Sequence, residues 1–249
     1  NITDIRGLRN LTTASKIFLD DNDNMLYPSA TSAFCQNRVF DNMYINNNGN
    51  WEVIEPLNSN IYSDVYRACN YEDEFDYWAY YLNQKGCFTG SFITEADSIN
   101  CSNKQLNKND TYYPSEPIKL SSISGIDFSN NFFSDTLFLN NITTVNGDLH
   151  LDSNILDKLN GMNNITNITG NLYLDDNQIT DLSALSNLES VNNIYIDNED
   201  VKDQPSSNSS FCTNNIYDKI LIKDVNGNWT RANPTNSTLF VTLYTACGN

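Results

Sequence analysis

Histidine occurs once in the 249 residues, at His150, and that scarcity removes much of the chemistry a sequence can announce. A nucleophile–histidine–acid relay has a single candidate base, and neither the H-E-x-x-H zinc pattern nor the G-x-S-x-G nucleophile elbow occurs. Positive charge is short as well: 14 Lys and Arg stand against 31 Asp and Glu, for a net charge of −17. Phosphate backbones and anionic lipid surfaces repel such a chain, so nucleic acid is not an expected partner. No apolar run reaches the ~18 residues that a membrane helix needs, so no membrane insertion is expected of this segment. The six cysteines avoid the C-x-x-C spacing of zinc sites and thiol oxidoreductases. Catalysis is therefore not expected, and no cofactor is required. With 39% hydrophobic residues, the chain does have enough apolar material to fill a core.

Self-similarity governs what is present. The triplets Ile126-Asp-Phe128, Leu149-His-Leu151, Leu172-Tyr-Leu174 and Ile194-Tyr-Ile196 follow one another at 23, 23 and 22 residues. Each alternates apolar, polar, apolar, as a half-buried strand requires. Asn131, Asn154 and Asn177 follow at one fixed offset. Between triplets the apolar positions recur every third residue, at Leu159, Met162, Ile165 and Ile168 and again at Leu182, Leu185, Leu188 and Val191. The economical packing is a stack of rungs, each covering the apolar edge of its neighbour. The fold class expected is a β-dominated α/β solenoid with one parallel sheet, flanked by disulfide-stapled cap modules.

Gln178-Ile-Thr-Asp-Leu-Ser-Ala-Leu-Ser-Asn-Leu188 resembles the internalin type of leucine-rich repeat, and Gly147-Asp-Leu-His-Leu and Gly170-Asn-Leu-Tyr-Leu are similar to the receptor L-domain variety. The resemblance covers about residues 120 to 200. It implies a recognition or adhesion role, with a protein or glycan as ligand.

The opening residues repeat this text. Ile2, Ile5, Leu8, Leu11, Ala14, Ile17 and Leu19 match Ile179, Leu182, Leu185, Leu188, Val191, Ile194 and Ile196 at an offset of 177. A second duplication follows each repeat block. Phe34-Cys35, Asp41, Asn48-Gly49-Asn50-Trp51, Pro56, Tyr66 and Ala68-Cys69 recur as Phe211-Cys212, Asp218, Asn226-Gly227-Asn228-Trp229, Pro234, Tyr244 and Ala246-Cys247. The expected organisation is a last repeat at 1–24, a Cys/Trp cap at 25–70, an N-terminal cap at 71–118, a leucine-rich-repeat block at 119–200 and a second Cys/Trp cap at 201–249. Such a chain is expected to belong to a longer array. Of the fifteen connectivities six cysteines allow, the duplication selects Cys35 with Cys69, Cys212 with Cys247, and hence Cys87 with Cys101. Asn-Gly ahead of Trp51 and Trp229 reads as a hairpin turn, with each Trp lying over the open end of its repeats. Phe75, Trp78 and Leu82 are at helical spacing; Tyr77, Trp78, Tyr80 and Tyr81 are read either as core or as a surface sticker.

Alternation sends the middle residues of the triplets, Asp127, His150, Tyr173 and Tyr195, to the exposed face of the sheet, where they form the candidate binding column. A cross-strand aromatic column also stabilises a sheet without any ligand. Asp152, Asp175 and Asp197 form an acidic row suited to Ca²⁺ rather than to acid catalysis, and Asp20, Asn22 and Asn24 are a second candidate Ca²⁺ set. Sequons mark Asn10, Asn109, Asn141, Asn164, Asn208, Asn228 and Asn236 as glycan acceptors. Three disulfides and these sequons point to an extracellular or cell-surface protein. The rival expectation is a structural block of a tandem-repeat fibre, coat or stalk, its partners being further copies of itself; a remote alternative is a glycan-acting enzyme working through a pair of carboxylates.

Overall fold

Strands Gly125–Asp127, Leu149–His150, Leu172–Tyr173 and Ile194–Tyr195 lie side by side, parallel and in register, in the computed structural model of the chain. The structure describes residues 4–19, 25–47, 49–54, 60–69, 77–88, 93–110, 114, 117–197 and 201–249. They belong to two compact units, Asn1–Asp76 and Tyr77–Asn249, of mixed α/β character.

In the second unit the sheet has seven strands. Ser98–Asn100 joins it next to Gly125–Asp127, Ile220–Lys223 joins next to Ile194–Tyr195, and Trp229–Arg231 closes it as an antiparallel edge. Both predicted caps thus contribute strands to the repeat sheet. The expectation of one parallel sheet needs correction. Ser122–Ile123, Thr144–Val145 and Asn167–Ile168 form a second parallel ladder, and the first unit has a three-stranded sheet of its own. These second-ladder strands are two residues long and rich in Thr, Ser and Asn, so they carry no alternation to read.

The three-residue apolar rhythm has a physical origin. Leu137–Leu139, Asn160–Met162 and Ser183–Asn187 are 3₁₀ helices, whose side chains at i and i+3 eclipse one another. Leu159 and Met162, or Leu182 and Leu185, therefore point the same way and are buried. Successive 3₁₀ helices pack together opposite the strands. Between ladder and helix lies one continuous core, in which Leu149, Leu151, Leu172 and Leu174 are each at most 1% exposed. Burying each such side chain contributes about 1.5–3 kcal/mol.

Each repeat turns away from its strand in the same manner. Asn130, Ser153 and Asp176 have φ of 53°, 54° and 52°, an uncommon left-handed conformation for residues with a side chain. The next residue is the ladder asparagine. Asn154 donates from Nδ2 to the carbonyls of Phe128, Leu151 and Asp152, and its Oδ1 accepts from Phe133 N–H at 3.0 Å. Asn131 and Asn177 make the same kinds of bond one repeat away on either side. An amide is needed because the turn exposes carbonyls and an N–H at once, inside the core. Gly161 marks a close approach: a Cβ there would lie 1.6 Å from the Thr136 carbonyl oxygen.

The two Cys/Trp modules fold alike. Ser32 and Ser209 cap the short helices Ala33–Gln36 and Ser210–Thr213 by accepting from Cys35 N–H and Cys212 N–H. Arg38 and Asn215 then turn left-handed, at φ 51° and 53°, before matching 3₁₀ helices, and hairpins and nine-residue helices follow, Asn60–Ala68 and Thr238–Ala246. Gly49 and Gly227 supply the hairpin turns at φ 92° and 81°. The disulfides are Cys35–Cys69, Cys87–Cys101 and Cys212–Cys247. In the chain-entropy picture the two longer loops each contribute roughly 3 to 4 kcal/mol.

The tryptophans do not do the capping expected of them. In the second unit that task falls to Ser210–Thr213, packed on the 3₁₀ helix Ser183–Asn187, and to Leu239, Phe240 and Leu243 of the last helix, all buried. Trp51 is 46% exposed. Of the proposed aromatic sticker, Trp78 and Tyr81 are buried, Trp78 against Phe128 and Phe138, which makes them core. Phe75 and the side chains of Tyr77 and Tyr80 lie outside the described residues.

Candidate functional site

Because the Leu149, Leu172 and Ile194 strands are in register, His150, Tyr173 and Tyr195 project from adjacent strands on the face opposite the core. Their rings stack. His150 and Tyr173 lie 4.0 Å apart at 6°, and Tyr173 and Tyr195 lie 4.6 Å apart at 12°. Trp229, from the hairpin, meets Tyr195 edge-on at 5.0 Å and 89°. The strands' own spacing of ~4.8 Å sets this column. Asp127 occupies the next position in line, with Oδ1 accepting from Ser129 N–H and Oγ–H.

Two polar columns flank the rings. On one side Asp148 Oδ1 accepts from Asn171 N–H, Asn171 Oδ1 accepts from Asn193 Nδ2, and Asn193 Oδ1 accepts from Arg231. On the other side run Asp152, Asp175 and Asp197. This acidic row holds a cation of the protein's own: Lys223 Nζ lies 3.3 Å from Asp175, 3.4 Å from Asp197 and 3.6 Å from Asp176. The same ammonium sits 5.1 Å from the Trp229 ring centroid. Burial alone would lower the Lys223 pKa, but the hydrogen bond to Asp175 and the nearby carboxylates outweigh it and hold the pKa above its ordinary value. Asp175 is raised, first by burial and then by the charge of Asp152.

At the opposite end of the row stands His150. Its Nδ1 is 3.4 Å from Asp152 Oδ1, and its Nε2 is 4.0 Å from Asp148. The Asp152 contact raises its pKa, against the effect of burial, with Asp127 and Asp148 adding to the rise. The contact is long, and Asp152 Oδ1 is buried with no hydrogen bond of ordinary geometry. Burial, and then Asp148, also raises the Tyr173 hydroxyl.

Neither a protein-family model nor a curated protein matches the chain. The site must therefore be judged on its own geometry.

The first unit repeats the aromatic corner. Phe18 and Trp51 meet at 4.9 Å and 75°, the counterpart of Tyr195 and Trp229, and Tyr44 adds a third ring at 5.4 Å from Phe18. Phe18 is 50% exposed. Sequence reasoning brought the His150, Tyr173 and Tyr195 column together but missed this corner, having sent both tryptophans elsewhere. It also passed over Asp148, Asn171 and Asn193, although two-residue alternation puts them on the same face as the rings. Lys223 could be placed only by knowing that the cap adds a strand.

Asp20, Asn22 and Asn24 lie outside the described residues. Among the described residues no three His, Cys, Asp or Glu side chains group to hold a metal ion, and no helix is long and apolar enough to cross a membrane. All seven of the sequon asparagines singled out are exposed. Asn141 and Asn164 donate from Nδ2 to the carbonyls of Ile118 and Asn140, tying one repeat to the last, and Asn236 is bonded to Asn233 and Arg231.

Proposed function

We propose that the chain is an extracellular leucine-rich-repeat recognition module that binds a protein or glycan through the exposed face of its repeat sheet, without catalysis. The stacked column of His150, Tyr173 and Tyr195, extended by Trp229, carries this reading. Aromatic side chains lined up on one face, with few rotatable bonds to immobilise, offer a partner a contact ridge at little entropic cost. In-register strands 22 or 23 residues apart, the ladder asparagines and the 3₁₀ helices support the leucine-rich solenoid. The three disulfides support an oxidising, extracellular setting.

The test is a screen of the chain and a Tyr173→Ala/Tyr195→Ala variant against arrayed extracellular proteins and glycans. Binding lost in the variant, with its circular dichroism at the assay temperature still that of the folded chain, supports the face; binding retained in full removes it. A second reading, a structural block of a fibre, coat or stalk, is favoured by the repeated Cys/Trp module, whose two copies share helix caps, left-handed turns and disulfide. Electron microscopy of the native surface showing filaments of this unit would select it.

A further inference from the structure

The rings of the column cover each other. Tyr173 has His150 against one face at 4.0 Å and Tyr195 against the other at 4.6 Å. A sugar ring needs an open aromatic face to lie on, and the inner ring of this column offers only its edge. What the face does offer is an apolar ridge of ring edges between acidic and amide columns. Charge is unevenly met along it. Near Trp229 the carboxylates of Asp175, Asp176 and Asp197 surround Lys223. Around His150 stand Asp127, Asp148 and Asp152, with no Lys or Arg bonded to any of them among the described residues.

We infer that the exposed sheet face from Asp127 to Tyr195 docks a basic segment of a protein partner, whose Lys or Arg stems lie along the ring edges and whose charged heads end among Asp127, Asp148 and Asp152. Lys223 is the internal precedent: its ammonium sits over Trp229 and among three carboxylates on the same face. Long cationic side chains use apolar surface and carboxylates together in this manner. The inference rests on the reading of this face as a recognition surface and narrows its partner from protein or glycan to a basic protein segment.

The experiment uses the full chain and three probes: a ten-residue peptide alternating Lys and Gly, its Glu counterpart, and a neutral glucose oligosaccharide, followed by fluorescence anisotropy at low and physiological salt. Asp127→Asn/Asp148→Asn/Asp152→Asn is compared with Asp157→Asn/Glu189→Gln/Asp203→Asn, which removes equal charge from exposed acids off this sheet. The Lys peptide should bind, weaken roughly tenfold or more in the first variant, and change about twofold or less in the second. Asp152→Asn alone guards against misfolding of the triple variant and should weaken binding about threefold. Equal losses in both triple variants would reduce the effect to overall acidity and overturn the inference. Oligosaccharide binding that depends on Tyr173 and Tyr195 would also overturn it while leaving the recognition face standing. If Tyr173→Ala/Tyr195→Ala alters neither probe nor arrayed ligand, both readings fall.

Discussion

Replacing Asn154 by Ala probes the repeat architecture at one of its buried ladder asparagines. The amide makes four bonds, three as donor and one as acceptor, and is 7% exposed. The losses are unequal. Each carbonyl keeps another donor: Asn131 Nδ2 at Phe128, Asn177 Nδ2 at Leu151 and Asn130 N–H at Asp152. These three bonds therefore cost about 0.5 kcal/mol each, whereas Phe133 N–H loses the side-chain acceptor that meets it and costs about 2 kcal/mol. The sum is about 3 to 4 kcal/mol. Asn154→Asp should cost more, since it keeps the acceptor but turns a carboxylate toward three carbonyl oxygens. Asn164→Ala, which removes one exposed bond to Asn140, should cost less than about 1 kcal/mol. Hydrogen exchange in urea, read on peptides from residues 117–197, isolates this block from the first unit. A loss at Asn154 no greater than at Asn164 would refute the reasoning.

Three other perturbations have defined outcomes. Gly161→Ala forces the Thr136 backbone away from the new methyl group and should destabilise the same peptides by about 3 kcal/mol or more. Lys223→Met leaves Asp175, Asp176 and Asp197 without their shared cation and should cost about 1 to 2 kcal/mol near neutrality, shrinking on acidification as Asp175, already raised, takes up its proton. A loss that does not shrink in acid would contradict this. His150 has a folded pKa above its ordinary 6.5, so its contribution is fully present below 6.5 and fades as pH rises through the raised value. Thermal melts across that window should show the decline, and His150→Gln should flatten it; an unchanged slope would place the decline elsewhere.

Much of the sheet was legible because strand alternation and the 3₁₀ rhythm impose strict periods on Leu149, Leu172, Leu182 and Leu185. The ladder asparagines stood out for the same reason: one fixed offset, one buried function. Less legible were the left-handed turns at Asn130, Ser153 and Asp176, since three different residues fill them and none is glycine. The second ladder escaped because two-residue strands such as Asn167–Ile168 have no pattern of their own. The hairpin turn before Trp229 is legible, but the end of the stack expected for its ring is not where the ring lies. Its actual place beside Tyr195 follows from Ile220–Lys223 extending the sheet, a pairing between segments that share no repeat.

The most direct measurement is nuclear Overhauser contact between ring protons on neighbouring strands. With ring centroids 4.0 and 4.6 Å apart, Tyr173 should show strong cross-peaks to both His150 and Tyr195. Cross-peaks from Tyr173 to only one of them, or to neither, would mean that the strands are not stacked in this register and that the column does not exist.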